Sequence, residues 1–313
     1  MTALLVDATA LAYNCLYAAH SMHRPSDGMQ VGAVVQFVSR VASLMASERP
    51  THAVFAFDAE GNFRRHLSES YKGNRPDKDF DSDQLREMQL MRYAAGLVGL
   101  RVSAKGYEAD DVLATYVRIA RKRKLPATVV ADDKDMHQLV SAGVTILGVR
   151  GNAPRVDEAA VRERWGVPPS IVPDVQAIAG DGVDNVGGVK NLGPKRAAGL
   201  VAGKPSLLEM CATAGDAKSP FERVALAAGS LDALRTAWLV RLHDEVPGCD
   251  LVRAAVKRDA GKAVVGLLLA LESRAGSARA ARDLRVPVGT CRPDAKVASR
   301  AVKSKPAGRT LFG

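Results

Sequence analysis

Glu108, Asp110 and Asp111 fall within four residues of "GYEADDVLATYV" (106–117), in a chain whose formal net charge is +10. Further acids end short apolar runs: Asp7 closes "ALLVD", Asp58 closes "HAVFAFD", and Asp133 and Asp135 follow "ATVVAD". A last pair, Asp181 and Asp184, stands three apart in "AGDGVDN". Singly, each is accounted for by a helix N-terminus or by solvent. Gathered, they are not. Two carboxylates about 4 Å apart repel by roughly 4 kcal/mol at an effective dielectric near 20. Several such pairs would exhaust the roughly 5–15 kcal/mol that holds a typical domain together. Acids brought to one place therefore need cations. Oxygen donors without His or Cys suit Mg²⁺ or Mn²⁺. Two such ions suit in-line phosphodiester hydrolysis, one activating a water and the other stabilising the leaving oxygen.

The elements that position these residues follow from hydrophobic periodicity. Strand-like runs at 3–7, 52–58, 126–135 and 144–148 alternate with helical patterns at 31–47, 84–98, 109–122 and 134–141. This alternation predicts a mostly parallel sheet with helices on both faces. Such sheets bind ligands beyond the carboxyl ends of their strands, which is where the acids stand. Positions three apart in a helix share a face, so Glu108 and Asp111 are expected to point together. Beyond Asn152 strand signals stop, and helical patterns follow at 157–165, 170–179, 194–202, 220–228 and 231–241. The predicted organisation is an α/β unit over 1–151, a helical region over 152–273, and a basic, flexible tail over 274–313. That tail carries ten Lys/Arg against two Asp. The stretch 64–83 is charged throughout, with Tyr71 and Phe80 interleaved. It reads as an exposed loop or flap, and its length favours a role.

With 313 residues, 47% of them hydrophobic, the chain can bury one large core or two modest ones. No run approaches 18 apolar residues, and the first residues lack a basic leader, so a cytoplasmic protein without a membrane span is expected. Cys15, Cys211, Cys249 and Cys291 have neither zinc-site nor disulfide-frame spacing. A pI near 9.6 points to a polyanionic partner.

The stretches "LLVDATALAY", "VFAFDAEGNFRRHLSESYKGNRP", "GYEADDVLATYV", "VVADDKDMHQLV" and "AIAGDGVDNVGGVKNLGPKRAAGLV" together resemble the bacterial and phage 5′→3′ exonuclease (flap endonuclease) family, which includes the N-terminal nuclease domain of DNA polymerase I. The likeness spans residues 3–245, with the motifs in family order. It implies a PIN-like α/β fold whose helical second half contains a helix–hairpin–helix at about 181–202 (of the H3TH type), with a flexible arch at about 64–83. It implies that Asp58, Glu108, Asp110, Asp111, Asp133 and Asp135 belong to the metal cluster, with Asp7 beside them, and that Asp181 and Asp184 stand at a second, more distant metal. Asp132 stands where relatives have Gly and is taken as a surface acid. Lys72 matches the arch lysine at the scissile phosphate, so Lys72, Asp110 and Asp111 are the expected catalytic residues. Tyr13, Asn14, Arg75, Gly188, Gly193, Lys195 and Arg196 are the expected DNA contacts, with K⁺ at the hairpin.

Three departures from the family pattern stand out. Asn14 replaces a basic residue, shifting 5′-end handling toward Arg24 or another group. Asn191 replaces the first hairpin glycine, although Asn tolerates left-handed backbone. Gly187 replaces a proline. The implied activity is Mg-dependent hydrolysis of 5′ flaps, nicked or 5′-ended DNA and RNA primers, by a monomer, in replication or repair. The terminal "GRTLFG" faintly resembles a sliding-clamp-binding peptide. No polymerase domain follows in the sequence, so a nuclease working alone or a separated fragment is expected. The alternatives are a silent binder of branched DNA and a PIN-like ribonuclease.

Overall fold

The structure is a computed structural model that describes residues 1–18, 22–75, 79–150, 154–203, 207, 209 and 219–298. The apolar runs become a parallel sheet with the order β3-β2-β1-β4-β5. Its strands are β1 (Ala3–Asp7), β2 (His52–Ala56), β3 (Leu100–Val102), β4 (Ala127–Val130) and β5 (Val144–Leu147). Central β1 sets Val6 against Phe55 on one side and Val130 on the other. Both faces of this strand are covered, so its sequence is a continuous apolar run rather than an alternation. The pleat sends Leu4, Val6, Ala53 and Phe55 to one core and Ala3, Leu5, Val54 and Ala56 to the other. Edge strand β3 escapes the sequence reading because "LRV" is short and pairs with β2 alone.

On the first face lie α1 (Ala8–Ala18), α2 (Gly32–Glu48) and α4 (Ser82–Val98), whereas the short α3 (Phe63–Leu67), which precedes α4, is tied through Arg64 to Asp111 of a second-face helix. On the second lie α5 (Ala109–Lys122), α6 (Glu158–Trp165), α7 (Val172–Ala179) and α8 (Pro194–Val201). The amides that open α2 are buried, and Glu87 of α4 answers them. Its Oε1 accepts from Ala33 N at 2.8 Å and Val34 N at 3.4 Å, while Gln30 Nε2 donates to Oε2 at 2.9 Å. A fully buried carboxylate thus stabilises the positive end of a neighbouring helix.

Two expectations are corrected. The patterns at 220–228 and 231–241 form one helix, α9 (Pro220–Val240). Gly229 between them is not a break: a Cβ there would sit 2.7 Å from Val189 Cγ1, so glycine permits close packing. The basic region from 274 is not a flexible tail as far as residue 298. After α10 (Ala260–Ala270), α11 (Arg274–Asp283) buries Ser277, Ala280 and Ala281 in the first-face core. Tyr93 Oη donates to Asp294 Oδ2 at 2.9 Å, and Asp294 N donates to Gly266 O at 2.9 Å. Composition averaged over the segment concealed an arginine face and an alanine face. The peptide "GRTLFG" and Cys211 lie outside the described residues. Among those residues no helix is long and apolar enough to cross a membrane.

Candidate active site

Each predicted acid is placed by the element it ends or begins. Asp7, last in β1, accepts Ala10 N at 2.9 Å and caps α1. Asp58, just past β2, donates its own N–H to Thr9 Oγ1 at 2.8 Å. Its Oδ1 accepts Ala109 N at 2.9 Å, which aims the α5 N-terminus at the strand ends. Asp133, just past β4, accepts Asp135 N at 2.9 Å and opens a 3₁₀ turn over Lys134–Leu139, where an α-helix was expected. Burial, then Asp58 and Asp133, push the Asp7 carboxyl up to about 7. Burial, then Asp7, Asp133 and Glu108, hold Asp110 well above the carboxylate range. Asp7, Asp58, Asp110 and Asp133 therefore form one electrostatic cluster at the carboxyl rim of the sheet, with Glu108 at its margin.

A second group adjoins it. Asp135, Asp181 and Asp184 each offer a ligand oxygen, all within 4.8 Å of one another. An octahedral Mg²⁺ places adjacent ligand oxygens about 3 Å apart and opposite ones about 4 Å apart, so the donor set fits a hard divalent ion. Burial, then Asp133, push Asp135 up to about 7, opposed by the amide that buried Gln176 donates to it. Asp181 and Val186 exchange two backbone hydrogen bonds of 2.8 Å, which fold the loop back on itself. Asp181 Oδ1 also accepts from Lys134 Nζ at 2.8 Å.

The charged segment 64–83, expected to be too polar to bury, is anchored deeply at its base. Arg64 is 1% exposed and Tyr71 3%. Tyr71 Oη lies 3.0 Å from Glu108 Oε2 and 3.1 Å from Asp184 Oδ2, so one hydroxyl links the two acid groups. Lys72 holds a left-handed φ of 55°, and its N–H donates to Asp184 O at 2.8 Å. That uncommon conformation is held by the surrounding contacts. The Lys72 ammonium pairs with Glu108 and stands 3.5 Å from Asp184 Oδ2. Burial works against its charge, but Glu108 and Asp184 prevail and raise its pKa. Arg75 pairs with Asp184 and is half exposed. Residues 76–78, within the expected arch, lie outside the described residues.

Asp111 departs from the sequence reading. It does share a face with Glu108, but Arg64 Nη1 and Nη2 each donate to one of its oxygens at 2.7 Å. His243 N at 2.9 Å and Glu108 N at 3.2 Å take the remaining lone pairs. A fully buried carboxylate with four donors has no oxygen left for a metal, so Asp111 is a structural anchor. Arg24 is corrected likewise: it is 4% exposed, paired with Asp27 and bonded to Ala270 O at 3.3 Å, and so is withdrawn from any incoming 5′ end.

Tyr13 stacks on Phe80 with ring centroids 5.6 Å apart and an interplanar angle of 14°. Burial, then Asp58, push its hydroxyl up to about 12, which sets it beside the acids. Asn14 is half-buried next to it on α1. In the hairpin, Asn191 takes a φ of 67°, the left-handed conformation that Asn tolerates and for which a glycine was expected. Gly193 caps α8 and Pro194 starts it, leaving Lys195 and Arg196 exposed on its first turn. Gly188 is a glycine for a different reason than phosphate access. A Cβ there would lie 2.3 Å from Gly180 N, so protein backbone fills that side.

Sequence reasoning missed Arg64, Tyr71, Lys134 and Gln176 as neighbours of the acids. Lys134, flanked by two carboxylates in "DDKD", carried a signal. The others lie too far in sequence from their partners.

The comparisons agree with this geometry. Residues 2–166 match the 5′-3′ exonuclease N-terminal resolvase-like domain, and 167–260 match the 5′-3′ exonuclease C-terminal SAM fold. The DNA polymerase I of Rhizobium leguminosarum is 32% identical over 278 residues, covering 86% of this chain and 27% of that protein. That of Bacillus caldotenax is 30% identical over 269 residues, covering 82% and 28%. The chain thus spans little more than a quarter of these relatives. The T5 D15 protein, co-crystallised with metal ions, shares the fold at 17% identity and a TM-score of 0.65, covering 96% of this chain and 100% of that one. The catalytic core of Rad2 in complex with DNA substrate shares it at 15% identity and a TM-score of 0.56, covering 92% and 89%. An acid-rimmed parallel sheet joined to a helical SAM-fold region, matched along most of its length by both family models, makes this chain a member of the 5′-3′ exonuclease family.

Proposed function

We propose that the chain is a structure-selective 5′ nuclease that hydrolyses phosphodiester bonds in 5′ flaps and 5′-ended DNA duplexes with two Mg²⁺ (or Mn²⁺) ions. The observation that carries this reading is the adjoining of two carboxylate groups at one rim, Asp7, Asp58, Asp110 and Asp133 beside Asp135, Asp181 and Asp184. When bound there, divalent ions supply an activated water and neutralise the leaving oxygen. The chain's own residues do the rest. Asp7, Asp58, Asp110 and Asp133 would hold one ion, and Asp135, Asp181 and Asp184 would hold the other. Lys72, whose ammonium lies between the groups, donates positive charge to the scissile phosphate as negative charge builds on it. Tyr13 offers an aromatic face to a base. Arg75 adds a phosphate contact once it leaves Asp184. Lys195, Arg196 and the α8 amides bind duplex backbone without reading sequence. RNA primers at 5′ ends fall within the same reading, because the acids and Lys72 are assigned to the phosphodiester group that RNA and DNA share.

The test is a labelled 5′-flap duplex with Mg²⁺. Wild type is expected to release a short 5′ product, and Asp110→Ala to bind the flap without cutting it. Binding by wild type with no product under Mg²⁺ or Mn²⁺ would replace this reading with that of a silent branched-DNA binder.

A further inference from the structure

The first face of the sheet carries a basic groove that none of the roles above uses. Helix α11 turns its small residues Ser277, Ala280 and Ala281 inward. Its Arg279 and Arg282, three apart and both exposed, line a groove against α2. The opposite wall is Gln36, Ser39, Arg40 and Ser43, one face of α2 at spacings of three and four. Asp283 is the single acid in the lining, with Arg282 Nε 3.9 Å from its Oδ1. Arg279 has no ion pair among the described residues.

The position of the groove ties it to the acid rim. Arg40 donates to Val149 O at 2.9 Å and Gly148 O at 3.1 Å, just past the carboxyl end of β5. Val149 N donates to Asp132 Oδ1 at 2.9 Å, and Asp132 immediately precedes Asp133. The hairpin residues Val189, Leu192 and Ala197 belong to the core of the other face. Thus cationic surfaces flank the rim on both sides of the sheet.

The chemistry selects the occupant. The exposed guanidinium groups of Arg279 and Arg282, facing the hydroxyls of Ser39 and Ser43, suit phosphate oxygens. The lining contains no aromatic ring on which a base could stack and no large apolar anchor of the kind a protein partner buries. We propose that the groove between α2 and α11 binds the phosphodiester backbone of the nucleic-acid substrate on the face opposite the hairpin. This proposal rests on the nuclease reading.

The test compares wild type, R279A/R282A and R279K/R282K for equilibrium binding to a 5′-flap duplex across a salt series. A single-turnover rate at saturating protein accompanies each. Loss of two phosphate contacts should lower the slope of log K against log salt by about 1–2 in the alanine variant. Affinity should fall at least several-fold, with the saturating rate unchanged. The lysine variant, which keeps the charge, should retain the wild-type slope. An alanine variant with the wild-type slope and affinity would overturn the proposal, and a groove for free phosphate alone would give that same result. If wild type fails to cut but the slope still falls, the nuclease reading fails and the groove stands.

Discussion

Both carboxylate oxygens of Asp111 lie 2.7 Å from the terminal nitrogens of Arg64, and neither residue is more than 1% exposed. Arg64 also donates to Leu239 O at 2.8 Å and Arg241 O at 3.0 Å, so the pair fastens the arch base, α5 and the end of α9 together. Neighbouring acids on α5 therefore do different work. Asp111→Ala should cost about 3–5 kcal/mol of stability, because it strands a buried guanidinium. Asp110→Asn should leave the fold intact and remove cleavage. Denaturation midpoints and single-turnover rates on folded protein separate the two. An Asp111→Ala protein of wild-type stability would contradict the assignment.

Lys72→Ala should slow the chemical step by about 10²–10³-fold, the scale for losing one charge donor to a transition state. Flap affinity should change little. The measurement is the single-turnover rate at saturating enzyme, and an unaltered rate would remove Lys72 from the chemistry.

Tyr71→Phe deletes the hydroxyl shared by Glu108 and Asp184 while keeping the ring in its buried place. Without that link the two acid groups lose a common support. The Mn²⁺ concentration for half-maximal cleavage should rise about 10–100-fold, with the fold unchanged. A variant with the wild-type Mn²⁺ dependence would show that the hydroxyl plays no positioning role.

The raised carboxyls make stability depend on pH and on metal together. Asp7 and Asp135 are held near 7, against an ordinary value of 3.8, chiefly by burial. The folded protein therefore binds their protons more tightly than the unfolded chain does. Their contribution to stability is intact below the ordinary value and is lost as pH rises through about 7. Divalent ions relieve the repulsion of the ionised forms. The rise in Tm on replacing a chelator with Mg²⁺ should thus be larger at pH 8 than at pH 5. Equal rises at both pH values would show that these carboxyls do not meet the ion.

Glu87→Ala should destabilise the protein by roughly 1–3 kcal/mol, the cost of leaving buried amides unsatisfied. Glu87→Gln should recover part of that loss. Because Glu87 serves Gln30 and the amides that open α2, the cleavage rate of the folded fraction should stay at wild type.

Much of this molecule is encoded locally. The run "ALLVD" is apolar because central β1 is covered on both faces, and its closing acid marks the strand end where ligands bind. The same logic located Asp58 and Asp133, since strand length and terminal residue are read within a few positions. What adjacent residues do relative to one another was not legible there. Asp110 and Asp111 differ by about 100° around a helix axis. Only the docking of α5 against Arg64 decides that one faces the acid cluster and the other a buried cation. Likewise, the charge of segment 64–83 concealed a base buried by partners at Glu108, Asp184 and Leu239. Sequence by itself determined which residue types end each element, through periodicity and propensity. The tertiary structure alone decided which charges meet, because pairing depends on distances between segments that lie far apart along the chain.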